Sequence, residues 1–489
     1  MVSTDRLSRG VKAIFGAGVV RMVSNALLVV LLTRFLLTTE GYGRLNFALS
    51  VLTIVSIFAT LGLPKSAARY ITDFAETDPG QIPHIIRRSV LYLGVITVVL
   101  SVAVVVVGRP AARLLDEPRI VPFLLVGAVY IGSRSGTKYL GSIFQGFNQV
   151  TWTAVVKVIS SVSRLVFVAA FVLLGFGAVG ALAGYVASFV LASVVGFGAL
   201  YVDFYRRYEP APEMEEGLTR RMLEYAVPLT ATRGANVLDK RVDTVLVGLL
   251  MNMTAVGYYT VAKQVSDFVS MPAASFGFTI SPALGEQKSG DRLDRAASLY
   301  ERSLQYVLLA YVPATVGLIL VAEPMVRYVF GTPYLEAVPV VQVFSGFIFV
   351  NAINKVTSDG LDYLGRARSR AVVKTATAVA NFLLNLVLIP TMGVVGAAIA
   401  TVITYTVYTG ANVWVIHSEL EFSLRRVARH AGIVCLVTAG MGAVVVSVLP
   451  MVSGILTLVG AVVVGLLVWS VLSVAGGVLD VREVAEFIG

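Results

Sequence analysis

Apolar residues fill this chain in runs of a recurring length. The runs lie near 13–37, 43–65, 89–108, 121–145, 152–174, 178–202, 222–250, 255–281, 303–322, 337–360, 370–390, 393–416, 430–449 and 452–475. A helix needs about 20 apolar residues to cross a bilayer core. The pattern therefore predicts an all-α polytopic membrane protein with about fourteen transmembrane helices. Six of the runs are interrupted by polar and ionisable residues at one-face helical spacing. The first offers Arg21 and Asn25, and the second Asn46, Ser50 and Thr53. The fourth offers Arg134, Lys138, Ser142 and Gln145. The seventh holds Arg233, Asn236, Lys240 and Asp243, flanked by Asp239 and Arg241. The eighth has Tyr259, Lys263, Asp267 and Ser270, and the tenth Asn351, Lys355, Asp359 and Asp362. Charge is expensive inside a bilayer, so such residues face a bundle interior or a water-filled cavity.

The chain also repeats itself. Ala154-Val155-Val156-Lys157 returns as Ala371-Val372-Val373-Lys374, 217 residues on. Gly177-Ala178-Val179-Gly180-Ala181 returns as Gly393-Val394-Val395-Gly396-Ala397. Arg88-Ser89 parallels Arg302-Ser303, and Glu40-Gly41-Tyr42-Gly43 parallels Gly257-Tyr258-Tyr259. Each half holds six spans, an even number, so the halves keep one orientation and form a parallel repeat. The expected organisation is an N-lobe at 1–202 (helices 1–6), a cytoplasmic linker at 203–219 and a C-lobe at 220–416 (helices 7–12). Helices 13 and 14 and a tail follow at 417–489. The polar spans 1, 2 and 4 and the polar spans 7, 8 and 10 occupy equivalent places in the two halves. That agreement predicts a cavity between the lobes, lined by three helices from each. Spans 3, 6, 9 and 12–14 should face lipid or pack behind.

Composition narrows the function. The 489 residues are 57% hydrophobic and 14% charged, against about 25% charged in soluble chains. No connecting segment exceeds about 20 residues on this span assignment, which leaves no room for a catalytic domain. No Walker-type loop is present, and the chain reads as a transporter rather than an enzyme. The net charge of +10 does not indicate nucleic acid. On a fourteen-span topology with both ends inside, the outer side takes only Arg34, Arg44, Arg109, Arg113, Arg119 and Arg327. The inner side holds clusters such as Arg87-Arg88, Arg206-Arg207, Arg220-Arg221 and Arg425-Arg426. This is the positive-inside asymmetry. It predicts a cell-membrane protein with cytoplasmic termini, and residues 3–12 as an amphipathic lead-in. Cys435 is the sole cysteine. His84, His417 and His430 show no metal-ligand spacing, so neither metal nor cofactor is expected.

The seven strongest cavity bases on the polar spans are Arg21, Arg134, Lys138, Arg233, Lys240, Lys263 and Lys355. Their excess suits an anionic cargo such as a phosphate or pyrophosphate, which Arg binds bidentately and Lys as a point charge. The acids Asp243, Asp267, Asp359 and Asp362 leave two readings open. They either form structural pairs (Asp243 with Lys240, Asp267 with Lys263, Asp239 with Arg241) or serve the cargo site. Lys157 and Lys374, at span ends, read as snorkelling anchors. Arg164, deeper in the fifth span, receives no role from the sequence.

Several short pieces carry a family likeness. They are Leu7-Ser8-Arg9-Gly10, Thr33-Arg34-Phe35-Leu36, Glu40-Gly41-Tyr42-Gly43, and Leu61-Gly62-Leu63-Pro64 leading to Ala68-Arg69-Tyr70-Ile71. The second half adds Lys240-Arg241-Val242-Asp243-Thr244-Val245-Leu246-Val247-Gly248, Ala255-Val256-Gly257-Tyr258-Tyr259 and Ala262. On these the chain resembles the polysaccharide biosynthesis family of lipid-linked oligosaccharide flippases. That family lies in the multidrug/oligosaccharidyl-lipid/polysaccharide (MOP) exporter superfamily. The resemblance implies two six-helix lobes in a V plus two extra helices. It implies transfer of a polyprenyl-(pyro)phosphate-linked oligosaccharide from the inner to the outer leaflet by alternating access. Membrane lipid, and a glycan polymerase or ligase, are the implied partners. The implied headgroup cradle is Arg21, Asn25, Arg134, Lys138, Arg233, Asn236, Lys240, Lys263 and Lys355. Asp243, Asp267 and Asp359 become candidates for a coupling ion or proton. Alternatives within the superfamily are a cation or small-molecule antiporter and a peptidoglycan-precursor flippase. The absence of an acid in the first span disfavours the antiporter. A glycan polymerase or ligase would want a large outer loop, and the outer loops here are short.

Overall fold

The computed structural model describes residues 4–114, 117–289 and 292–479. These residues are helical almost throughout, with no strand among them. The helices are α1 (Thr4–Leu31), α2 (Thr39–Thr60), α3 (Leu63–Thr77), α4 (Ile82–Leu114), α5 (Val121–Gly146), α6 (Val150–Phe171) and α7 (Gly177–Ala199). There follow α8 (Leu218–Leu250), α9 (Met253–Ser289), α10 (Leu293–Met325), α11 (Val338–Tyr363), α12 (Ala367–Leu420), α13 (Leu424–Val448) and α14 (Ile455–Ala475). Among the described residues, 10 helical stretches are long and apolar enough to cross a membrane. Two of these, Val150–Arg207 and Arg368–Leu420, each contain two expected spans in succession. The charged helices α8 and α9 fall outside that group. The element order is compatible with fourteen crossings, and the chain is a multi-pass membrane protein. α4 and α14 present the surface that hydrocarbon requires, with Val98, Val99, Val102, Val106, Leu456, Leu466, Leu467 and Val471 exposed.

The chain divides into two compact units, Met1–Leu249 and Leu250–Gly489. In the first unit α2 stops where Leu61 and Gly62 turn left-handed, at φ 39° and 66°. The loop expected to follow the second span is instead a separate helix, α3. It buries Leu63, Pro64, Ser66, Ala67, Ile71 and Phe74 and leaves Lys65, Arg69 and Asp73 exposed. Polar and apolar residues balance in that stretch, so a search for apolar runs passes over it. Gly62 is also a packing requirement, because a Cβ there would lie 2.3 Å from the carbonyl oxygen of Ala226. Ser66 ties α3 to α8 by donating to the Met222 carbonyl at 2.7 Å. Leu218 and Met222 join the core built by Ile71, Ile82, Ile85, Tyr139, Ile143 and Phe144.

The polar linker is held down by the turn between α3 and α4. Gln81 donates to the Glu213 carbonyl at 3.2 Å and accepts from the Glu215 amide at 2.9 Å. His84 Nε2 donates to the Ala211 carbonyl at 2.8 Å. In the second unit, buried Glu301 on α10 accepts from Arg426 at 3.0 Å, joining α10 to α13. Residues 283–289 and 293–302 are the end of α9 and the start of α10, which extend the flanking spans.

The repeat reaches the dihedral angles. α5 ends through Phe147 (φ −81°, ψ 4°) and left-handed Asn148, and α11 ends through Leu364 (φ −80°, ψ 1°) and left-handed Gly365. The backbone hydrogen bonds coincide across these turns. Gln149 donates to the Phe144 carbonyl at 2.7 Å, as Arg366 does to that of Leu361 at 2.9 Å. Gly177 sits at φ 55°, ψ −141° and Gly393 at φ 63°, ψ −145°. Only glycine visits that region readily, so each breaks its run of helix at the same place.

Candidate functional site

In the first unit, Arg134 on α5 donates through Nη1 to Thr53 Oγ1 on α2 at 3.2 Å, and also to the hydroxyl of Tyr130. Its guanidinium lies 5.5 Å from the Tyr130 ring centre. Tyr130 meets Phe189 on α7 edge-to-face at 5.7 Å. Arg164 from α6 also stands against Phe189. Its guanidinium is 5.2 Å from the Phe189 ring and 5.0 Å from that of Tyr185. Nη2 of Arg164 donates to Ser160 Oγ at 3.2 Å. Arg134, Arg164 and Arg241 of α8 all act electrostatically on Tyr185. Two guanidiniums thus share an aromatic partition of Tyr130, Phe189 and Tyr185. Neither forms an ion pair with a carboxylate among the described residues. Cation–π contacts of this kind contribute about 0.5–2 kcal/mol each.

The sequence had no role for Arg164, because its aromatic partners lie on another helix, α7. One signal was available. It is the only residue among Lys, Arg, Asp and Glu between Lys157 and Asp203, and an isolated cation deep in an apolar span is itself a functional flag.

Arg21 lies on α1, which packs along α6, and acts electrostatically on Lys157. Lys157 is exposed and within electrostatic reach of that like charge. Asn25, one turn on, is half-buried. Lys138, Asn236 and Lys240 are exposed, whereas Asp243 is 2% exposed. Each of these four takes part in a polar or electrostatic interaction. The side chain of Arg233 lies outside the described residues.

The second unit places its candidates differently. Lys263 Nζ lies 5.5 Å from the ring of buried Tyr259 on α9, and Asp267 is exposed. Lys355 and Asp359 are half-buried on α11. α9 presses on that helix so closely that a Cβ at Gly277 would lie 2.7 Å from the Lys355 carbonyl oxygen. Asp362 is held by Arg370 at 2.9 Å across the α11–α12 turn. Lys374 rests over Tyr405 and Tyr408 at 4.9 and 5.0 Å. Position 381, the repeat equivalent of Arg164, is an asparagine that donates to Thr404 Oγ1 at 3.3 Å and accepts from Asn385 at 3.0 Å. No three His, Cys, Asp or Glu residues gather among the described residues.

Two family models match the chain, and both matches cross the boundary between the units. The model of the polysaccharide biosynthesis protein family matches residues 7–287, and that of MatE matches residues 228–387. A probable low-salt glycan biosynthesis flippase of Haloferax volcanii, Agl15, is 25% identical over 167 residues. That match spans 34% of this chain and 35% of the Agl15 length. The probable flippase AglR of the same organism is 23% identical over 416 residues, covering 82% of this chain and 81% of its own. Among solved structures, the lipid II flippase MurJ in an inward closed conformation has the same fold. It aligns at TM-score 0.74 and 15% identity, over 95% of this chain and 97% of its own.

Proposed function

Because this chain belongs to the polysaccharide biosynthesis protein family, within the MOP superfamily, we propose that it is a flippase for lipid-linked oligosaccharides. The family and its structural neighbours are transporters and flippases, not enzymes. The cargo on this reading is a polyprenyl-(pyro)phosphate-linked oligosaccharide, moved from the cytoplasmic to the outer leaflet by alternating access. The termini are cytoplasmic and the host membrane is the cell membrane. The name of Agl15, a probable low-salt glycan biosynthesis flippase, supports a glycan cargo, and that of AglR supports a flippase.

The observation that carries the reading is charge imbalance inside apolar helices. The first unit holds Arg21, Arg134, Lys138, Lys157 and Arg164 on its membrane helices, and α4 to α7 carry no acid at all. Guanidiniums without carboxylate partners are costly in such surroundings. They persist where a mobile anion completes them, and the phosphates of a lipid-linked sugar are such anions. Arg21, Arg134, Lys138, Arg233, Lys240, Lys263 and Lys355 supply the positive field. Asn25 and Asn236 supply amide donors and acceptors of the kind sugars need. Asp243, Asp267 and Asp359 are the sites at which a coupling ion or proton would bind. A glycan polymerase or ligase receives the product.

The test is leaflet transfer in proteoliposomes loaded with a lipid-linked oligosaccharide. Outer-leaflet headgroups are read with a membrane-impermeant glycan-modifying enzyme. Wild-type protein transfers the lipid, and Arg134→Ala slows transfer at least tenfold while eluting as folded protein. Equal transfer by wild type and Arg134→Ala would refute the phosphate-reading role.

A further inference from the structure

We infer that the first unit contains its own oxyanion subsite, built by Arg164 with Ser160, Tyr185 and Phe189, apart from the residues the polar stripes picked out. Arg164 has five N–H donors in a planar fork. Among the described residues one of them, on Nη2, meets a protein acceptor, Ser160 Oγ at 3.2 Å. Its Nε is buried and has no hydrogen-bond partner. The aromatic contacts at 5.0 and 5.2 Å occupy the π-system and consume no donor. A guanidinium so placed is held firmly and left chemically unsatisfied. Burying a donor without a partner costs about 1–3 kcal/mol, and a charge without a counter-charge costs more.

The surroundings state which ligand completes it. No acid lies on α4 to α7, and Arg134 and Arg241 act on the same tyrosine. The local field is therefore positive, and a cationic ligand is excluded. Ser160 and the phenol of Tyr185 add hydroxyl donors. A planar fork, hydroxyls and a positive field together suit a compact tetrahedral oxyanion of the phosphate class. The second unit serves as an internal control. Its equivalent position, Asn381, is bonded to Thr404 and Asn385 and carries no charge to complete. The inference rests on the flippase reading only for the source of the anion, which is either the phosphate of a lipid-linked cargo or a free phosphate.

The test is thermal unfolding of the purified full-length chain in detergent, at constant ionic strength so that screening does not mimic binding. The probes are sodium pyrophosphate, sodium chloride and polyprenyl phosphate. The expected result is that pyrophosphate or polyprenyl phosphate raises the wild-type melting temperature and chloride does not. Arg164→Gln needs at least tenfold more of the active probe for the same rise. Without any anion, Arg164→Gln melts no lower than wild type, because it removes an unsatisfied charge. Arg164→Lys keeps the charge and loses the fork, and also needs at least tenfold more probe. A response to soluble pyrophosphate equal to that to the lipid assigns a free anion; a response to the lipid alone assigns the cargo. Either outcome supports the subsite. It is overturned if wild type and both variants respond alike, if wild type responds to neither phosphate probe, or if Arg164→Gln melts lower with its probe response intact. Leaflet transfer separates the two ideas. Wild type that binds through Arg164 yet transfers no lipid removes the flippase reading and leaves the subsite standing. Normal transfer with binding indifferent to Arg164 does the reverse.

Discussion

The two compact units share a scaffold and differ in chemistry. Both close the same turn before their penultimate repeat helix, and both break at a glycine of nearly the same φ and ψ, Gly177 and Gly393. Both join neighbouring helices through a buried tyrosine hydroxyl. Tyr139 meets Ser89 at 2.7 Å in the first unit, and Tyr300 meets Thr357 at 2.9 Å in the second, with the tyrosine on the opposite helix of the pair. On that common frame the first unit sets arginines against aromatic rings, without acids on α4 to α7. The second sets lysines and amides, with Asp267, Asp359 and Asp362 on the same helices as its lysines. Backbone features that decide where helices break have been kept in both halves. Side chains that decide which ion is welcome have diverged. On the proposed reading, this asymmetry puts anion recognition mainly in the first unit.

The strongest blow to the shared frame is at the second glycine of the repeated motif. A Cβ at Gly396 would lie 2.1 Å from the Leu388 carbonyl oxygen, and one at Gly180 would lie 3.0 Å from that of Phe171. Backbone has to move in each case. Gly396→Ala is expected to destabilise by about 3 kcal/mol, at the upper end of overpacking costs, and Gly180→Ala by somewhat less. The check is the fraction of protein that stays monodisperse after heating in detergent. If one substitution is neutral while the other unfolds the protein, the two breaks are not equivalent.

The chemical difference is tested by moving the charge. Asn381→Arg gives the second unit the cation of the first without the Tyr185–Phe189 seat. It also removes the Asn381 Oδ1 that accepts from Asn385 at 3.0 Å. An unsatisfied charge and a lost hydrogen bond predict about 2 kcal/mol of destabilisation. Arg164→Gln, the opposite exchange, should cost no stability. A variant Asn381→Arg as stable as wild type would show that the second unit can seat a guanidinium too, and the proposed asymmetry would lapse.

These expectations also mark what the sequence could and could not reveal. Apolar length and one-face charge spacing are local, so the helices and most of their polar faces could be read directly. The break at Gly393 was legible because its five-residue motif repeats that at Gly177. α3 escaped notice because its burial depends on a face rather than a run. Arg164 escaped assignment because its seat is made by α7, and the link to Arg134 passes through Tyr130 and Phe189 on two helices. Asp362 read as a stripe acid, yet its partner Arg370 lies eight residues on, beyond a turn whose left-handed Gly365 brings the two together. Contacts between helices are set by packing, which spacing along one helix does not contain.

The smallest expected difference lies at the repeated Ala-Val-Val-Lys. Lys374 sits 4.9 and 5.0 Å from the rings of Tyr405 and Tyr408, whereas Lys157 is exposed beside Arg21. Replacing each with methionine keeps the stem and removes the charge. Lys374→Met loses attraction to two rings and is expected to cost about 0.5–1 kcal/mol. Lys157→Met relieves repulsion from a like charge and is expected to leave stability unchanged or raise it slightly. The pair is best compared at low and high salt, since repulsion at an exposed site fades within about 10 Å at 0.1 M. The gain from Lys157→Met should shrink as salt rises, and the loss from Lys374→Met should persist. Equal losses in both variants would mean that the repeated lysine does the same work in each unit, and divergence would then begin only beyond it, at positions 164 and 381.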